Sequence, residues 1–223
     1  MLSWIVDLRA TLAPPGDQGG RLTCLSWALT AAHEFTAADG PFSVEYLHWN
    51  AGSYPGGRGT VLAAAAALRA QGQPEEAQWP NLEYNDDADP GYGPPSTVVG
   101  PFSTAAVRLS AIDIDSLIAD LTSGRLPVIA LRVTDSFLAA TGGVVGEDGV
   151  GADGHAVTAV GVTQYTGQQD LGTVHPGDRL VCVRNSWSER WGVNGYALIT
   201  ETALSKCIIG SFVVDPAPRP PAP

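Results

Sequence analysis

GDQGGRLTCLSWAL, Gly16 to Leu29, sets a glutamine, a glycine-rich bend and one cysteine directly ahead of an apolar repeat. In "TCLSWALTAAHEFTAA" the residues Leu25, Ala28, Leu29, Ala32 and Phe35 recur near a 3.6-residue period, with Thr23 placed to cap the helix they predict. A cysteine at such a helix start has two readings. It is a small buried hydrophobe, or it is a nucleophile whose thiolate gains from the helix N-terminus. The choice turns on whether the rest of the chain offers a base and a group to orient it.

Outward from this stretch, the first half of the chain reads as helical. "SVEYLHWNAG" starts at a capping Ser43 and stops at Gly52, and "TVLAAAAALRAQG" is built of strong helix formers and ends at Gly72. The turn-rich "NDDADPGYGPPST" then joins two differently patterned halves. In the second half one helix, "DIDSLIADLTSGRLP", is capped by Asp113 and ended by Gly124. The runs "PVIALRV", "HAVTAVGV", "RLVCVRNSW" and "GYALIT" predict short β-strands. Helices first and strands later indicate an α+β protein of two lobes with a cleft between them. The tail "PAPRPPAP", residues 216–223, is expected to be extended and disordered.

Composition removes several functions. The 223 residues suit one unit with a sizeable core. There are 12 basic against 23 acidic residues, a net charge of −11, and Lys206 is the only lysine. Nucleic acid and anionic membrane are therefore not expected partners, because binding them needs clustered Lys and Arg. The longest apolar run, "TVLAAAAAL", is too short to span a bilayer, and "MLSWIVDLRATL" lacks the features of a secretory signal. Three widely spaced cysteines argue against a disulfide framework and lead to a cytoplasmic expectation. No His or Cys cluster has metal spacing and no phosphate loop or dinucleotide fingerprint occurs, so neither metal nor cofactor is expected.

His155 opens the strand "HAVTAVGV" directly after the turn "GADG". If that strand pairs with "RLVCVRNSW" across a loop centred near residue 170, His155 lies opposite Asn185. An amide oxygen could then reach a ring N–H, since opposed Cβ atoms are roughly 5 Å apart. The same alternation puts Cys182 on the other face, as packing. His33, His48 and His175 read as structural or solvent-facing, and Trp191 as core.

At this point the residues resemble a family. "DQGGRLTC" resembles the active-site segment of papain-like cysteine peptidases, "DGHAVTAVGV" their catalytic histidine strand, and "VRNSWSERWGVNGYALI" their Asn-Ser-Trp segment. "LPVIALRV" and "TGGVV" are similar to the stretches before that histidine, and the ordered set runs from about Asp7 to Phe212. The resemblance implies a papain-like fold: a helical lobe (about 10–104) and an antiparallel β-barrel-like lobe (about 105–215) in a single catalytic unit, 1–215.

It also implies roles at matching positions. Cys24 would be the nucleophile, His155 its base and then acid, and Asn185 the residue that orients His155. Gln18 would donate to the oxyanion beside the Cys24 N–H, and Trp187 would shield the His155–Asn185 bond. Gly56 and Gly57 in "SYPGGRG", with Leu22 and Gly154, are the further substrate-binding candidates.

Four positions depart from the family pattern. Leu25 replaces a tryptophan, Leu22 and Thr23 replace Gly-Ser, and Arg21 stands in the place of a disulfide cysteine. With Met1 almost where a mature enzyme would begin, no propeptide is expected, which suggests a narrow, dedicated peptide or protein substrate. The expected activity is that of a cysteine endopeptidase working through a thioester acyl-enzyme. The alternatives are a papain-like transamidase or peptide ligase and a catalytically silent peptide-binding module.

Overall fold

The computed structural model describes residues 1–55, 57–82, 89–149 and 151–216. Helix α1, Cys24–Ala37, forms where the apolar repeat predicts it, and it buries Leu25, Ala28, Leu29 and Ala32. Burying each leucine contributes roughly 1.5–3 kcal/mol, so this stripe fixes which face of the helix turns inward. Its other end closes on Ala38, in the left-handed region at φ 52°. Thr23 precedes α1, but its side chain does not cap the helix; its hydroxyl is buried without a hydrogen-bond partner.

The next two helices follow their sequence signals closely. Helix α2, Val44–Ala51, is capped by Ser43, whose hydroxyl accepts from the Tyr46 N–H. Helix α3, Val61–Ala70, is capped by Thr60, and Gly72 follows at φ +71°, the left-handed conformation that glycine adopts without strain. Helix α1 packs on both α2 and α3, and α2 on α3.

The remaining elements build the sheet. Its strands are β1 Leu2–Asp7, β2 Ala105–Ser110, β3 Val128–Arg132, β4 Val144–Val145, β5 Gly154–Tyr165, β6 Arg179–Arg184, β7 Tyr196–Thr200 and β8 Ile208–Pro216. Helices α4 Ile114–Thr122, α5 Asp135–Ala139 and α6 Glu201–Cys207 lie between them in sequence. Seven strands run in the order β2-β8-β3-β5-β6-β7-β4, and β1 pairs with β5 off that path. The pairing is antiparallel except for β4 beside β7, which is parallel. Helix α1 lies against β5, β8 and β3, and the Thr158 hydroxyl of β5 donates to the Ala28 carbonyl of α1 at 3.2 Å.

Three differences from the sequence reading matter. Strands β1, β2, β4 and β8 carry no clear strand signal. Pro216 belongs to β8, paired with Ala105, so the expected tail is one residue shorter; residues 217–223 lie outside the described residues. Finally, the hairpin register is shifted. Thr158 pairs with Arg184, where a direct His155–Asn185 pairing would give Cys182, and His155 itself pairs with Leu131 of β3.

Candidate active site

Three segments converge at the N-terminus of α1: the loop 16–23 before it, the start of β5 and the loop that follows β6. The sequence of the first forces a close turn. Gly19 has φ +60°, and a Cβ at Gly16 would lie 2.2 Å from the Trp27 ring, so this loop lies directly on α1. It is joined to the loop after β6 by the Gln18 N–H donating to the Ser186 carbonyl at 2.8 Å.

Side chains complete that junction. The Ser186 hydroxyl donates to Gln18 Oε1 at 2.6 Å, and Gln18 Nε2 donates to the Arg21 carbonyl at 2.6 Å. Asn185 Oδ1 accepts from the Ser186 N–H at 2.8 Å and from His155 Nε2 at 2.7 Å. Because this oxygen already accepts a main-chain N–H, His155 Nε2 must be the protonated ring nitrogen. Nδ1 is therefore the free base. Gln18, Ser186, Asn185 and His155 thus form one buried hydrogen-bonded chain.

Cys24 faces this chain from α1. It is partly buried, and the N–H groups of Ala156, Leu25 and Cys24 itself point at its sulfur. Ala156 directly follows His155, so the sulfur sits beside the imidazole's own strand. Burial raises the Cys24 thiol above its ordinary value of 9.0 by more than those N–H groups lower it. Burial likewise pushes the His155 imidazole down to about 4, against a smaller opposing effect of the Asn185 hydrogen bond. The depressed thiol expected from the helix terminus is thus not found for Cys24 taken alone: desolvation outweighs the helix N–H groups. Cys182 and Cys207 are pushed further, to about 12 and about 11, by burial with no comparable set of N–H groups, so they are poor nucleophiles.

Aromatic rings enclose the imidazole. Trp187 lies over His155 at 4.5 Å between centroids, and Phe137 stands edge-on at 5.6 Å. Phe137 also contacts Trp187 and Trp191 at 5.5 and 5.0 Å. The Trp191 N–H donates to the Phe137 carbonyl at 3.0 Å, so Trp191 supports this wall as well as the core. Sequence reasoning did not single out Phe137 or Ser186. Phe137 lies in the five-residue helix α5, which has no periodic signal, whereas Ser186 stood inside the quoted Asn-Ser-Trp segment.

The other candidates fall in different places. Leu22 is 85 % exposed on the loop between Gln18 and Cys24. Gly154 is exposed at the start of β5, with nothing within 4 Å of where a Cβ would stand. Gly57 lies in a turn: its N–H donates to the Tyr54 carbonyl and its own carbonyl accepts from the Thr60 N–H. Gly56 lies outside the described residues. His33 is buried between Gln73 and Ser103 and stacks on Phe42, while His175 is exposed and pairs with Asp170. Among the described residues, no three His, Cys, Asp or Glu side chains cluster as a metal site. No helix among them is long and apolar enough to cross a membrane.

The family described as papain family cysteine protease matches residues 101–217, just over half of the 223 residues. That span holds His155 and Asn185; Gln18 and Cys24 precede it. Several solved structures resemble the whole chain. Xylellain, a cysteine protease from Xylella fastidiosa, superposes with a TM-score of 0.74 at 22% identity, covering 98% of this chain and 88% of its own. A Carica candamarcensis cysteine protease in complex with E-64 gives 0.71 at 20% identity, over 96% and 98%. The bromelain protease from Ananas comosus gives 0.68 at 20% identity, over 95% and 97%. At these identities the likeness establishes the two-lobed fold and nothing finer. None of the curated proteins matches the sequence significantly.

Proposed function

The chain belongs to the papain family of cysteine proteases, and on that premise we propose that it hydrolyses peptide bonds with Cys24 as nucleophile, His155 as acid–base group, Asn185 as its orienter and Gln18 as an oxyanion donor. The observation that carries this reading is the buried chain Gln18–Ser186–Asn185–His155 beside the Cys24 sulfur at the Ala156 N–H. With Nε2 held by Asn185, His155 Nδ1 takes the proton of the Cys24 thiol as the sulfur attacks the carbonyl carbon. The carbonyl oxygen becomes an oxyanion, met by the Cys24 N–H and the second amide hydrogen of Gln18. Each such donor is worth roughly 2.7–4 kcal/mol of barrier.

The imidazolium then protonates the departing amine, leaving a thioester on Cys24. His155 next removes a proton from water, the hydroxide attacks the thioester, and the acid departs as the thiol is restored. No group beyond these side chains is needed for that sequence. Trp187 lies against the imidazole and excludes water from the His155–Asn185 bond. Leu22 and Gly154 flank the reacting sulfur and imidazole and would contact the peptide.

The division near residue 104 belongs to the same proposal, with one wall of the cleft formed by α1 and the other by the sheet. We also assign the enzyme to the cytoplasm, supported by three free cysteines and by an ion pair at the position of a disulfide cysteine.

The test is digestion of a peptide library, read by mass spectrometry, with wild type and Cys24→Ala. Wild type should cleave, and Cys24→Ala should lose more than about a thousandfold of that rate. Equal cleavage by both would overturn the assignment. Products carrying an added amine, formed in preference to hydrolysis, would favour acyl transfer. Bound but uncut peptides would favour a binding module.

A further inference from the structure

Arg21 and Glu45 form a buried ion pair between the loop that carries Gln18 and helix α2; their side chains are 5% and 0% exposed. Glu45 is fully engaged. Its Oε1 also accepts from the Leu82 N–H at 2.9 Å, and its Oε2 from the Tyr92 hydroxyl at 2.8 Å. The Arg21 guanidinium donates to the Leu82 carbonyl at 2.9 Å and to the Tyr92 hydroxyl at 3.2 Å. Tyr92 is held in turn, its carbonyl accepting from Trp49 Nε1 at 3.2 Å and its ring 5.6 Å from Trp79.

The main chain of Arg21 has a second task. Its carbonyl accepts Gln18 Nε2 at 2.6 Å, which occupies one of the two amide hydrogens and thereby fixes the direction of the other. The amide's far end is pinned by Ser186. Displacing the Arg21 carbonyl would swing the remaining hydrogen, because the amide is planar and its two N–H directions are locked together.

Resting on the reading of Gln18 as oxyanion donor, we propose that Arg21, with Glu45 and Tyr92, is a positioning residue: the buried pair anchors the Arg21 carbonyl, which aims the free amide hydrogen of Gln18 into the oxyanion site. Electrostatics explains why a charged pair can do this. A guanidinium fork and a carboxylate that also accepts from an N–H and a hydroxyl have few alternative arrangements, so the loop is fixed in one geometry. The same pair does the joining work without a covalent bridge, so reductant leaves it intact.

The experiment compares two reactions of the full chain. Acylation by p-nitrophenyl hippurate needs the oxyanion donors; alkylation of Cys24 by iodoacetamide does not. Tyr92→Phe keeps the ion pair, and the double variant Arg21→Met with Glu45→Gln leaves no unpaired buried charge, so both are used beside Arg21→Met. Gln18→Ala should slow acylation about a hundredfold. The double variant should slow it about tenfold through misplacement of the donor, with alkylation changed less than about twofold. On the Gln18→Ala background the double variant should cost less than about twofold, since the donor it aims is gone. A full tenfold loss on that background, or a parallel fall in alkylation, would overturn the positioning role. Unchanged acylation in Gln18→Ala would instead overturn the oxyanion assignment of Gln18 itself, and this proposal with it.

Discussion

On the proposed assignment, one proton separates the active and inactive forms of Cys24 and His155, and its titration sets the pH dependence of the reaction. Burial pushes the imidazole down to about 4 and the thiol above 9.0. Between those limits the pair holds a single proton, on sulfur or on nitrogen, and either placement is the same macroscopic state. Moving the proton from thiol to imidazole creates opposite charges that attract each other, so on the proposed assignment the form needed for attack is reached within the pair. The kcat/KM for peptide cleavage should therefore be a broad bell: falling as pH drops through about 4, flat across neutrality and falling again only above 9.0. A pH-rate profile checks this, and an acid limb centred near the ordinary histidine value of 6.5 would contradict it. At this scale the hydrogen-bonded chain was partly legible in the sequence: Gln18, His155 and Asn185, which the structure links through Ser186, occur in order with distinctive neighbours. Glu45 and Tyr92 were not legible, since a lone acid in a helix and a tyrosine in a turn-rich loop have no local signal of a shared partner.

Elements bring those residues together through a register that the hairpin reading missed by two positions, with Thr158 opposite Arg184 instead of Cys182. Next to the site, at Thr158 and Ala159, a shift of two leaves each side chain on its original face, because the strand repeat is two. His155 and Asn185 therefore still meet, with Asn185 reaching back from just beyond the end of β6. An irregularity at Gly161 brings the offset down to two: Gly161 itself pairs with Cys182, three places from its expected partner. The β5–β6 register breaks between Ala159 and Gly161, and the β1–β5 register breaks at Trp4/Val6 beside it. A Cβ at Gly161 would stand 2.7 Å from the Val6 carbonyl oxygen, so β1 lies against bare backbone there. Gly161→Ala should cost about 1–3 kcal/mol by overpacking against main chain that cannot easily retreat. Urea unfolding measures it, and an unchanged midpoint would show that β1 moves aside freely. Strand β1 itself escaped the sequence reading because the apolar Ile5 stands on its exposed face beside Ser3 and Asp7, which blurs the alternation. The Ala-rich β2 and the Gly210-interrupted β8 were hidden by weak strand propensity.

Across the whole molecule, two buried histidines, one in α1 and one in the sheet, are held neutral by burial, and this makes the protein sensitive to acid. His155 is 7% exposed and lies in the sheet; His33 is 1% exposed and lies in α1. Burial lowers both below the ordinary 6.5, His155 to about 4. In the unfolded chain each takes a proton near 6.5, whereas in the folded chain neither does, so unfolded molecules bind more protons and stability falls as pH falls. The loss attributable to His155 runs from about 6.5 down to about 4 and amounts to roughly 3 kcal/mol; His33 adds to it with the same sign. Glu34 opposes it, because burial raises its carboxyl above 4.5 and folding then favours its protonated form. The lowered carboxyls Asp7 and Asp215 act later, giving up their stabilisation only as pH falls below 3.8. Urea midpoints measured from pH 7 to pH 4 should therefore decline steadily in wild type and more shallowly in His155→Asn, with the difference confined to that window. Parallel declines in the two proteins would mean that His155 titrates in the folded chain as it does in water, and the dry, aromatic-walled setting described for its imidazole would have to be abandoned.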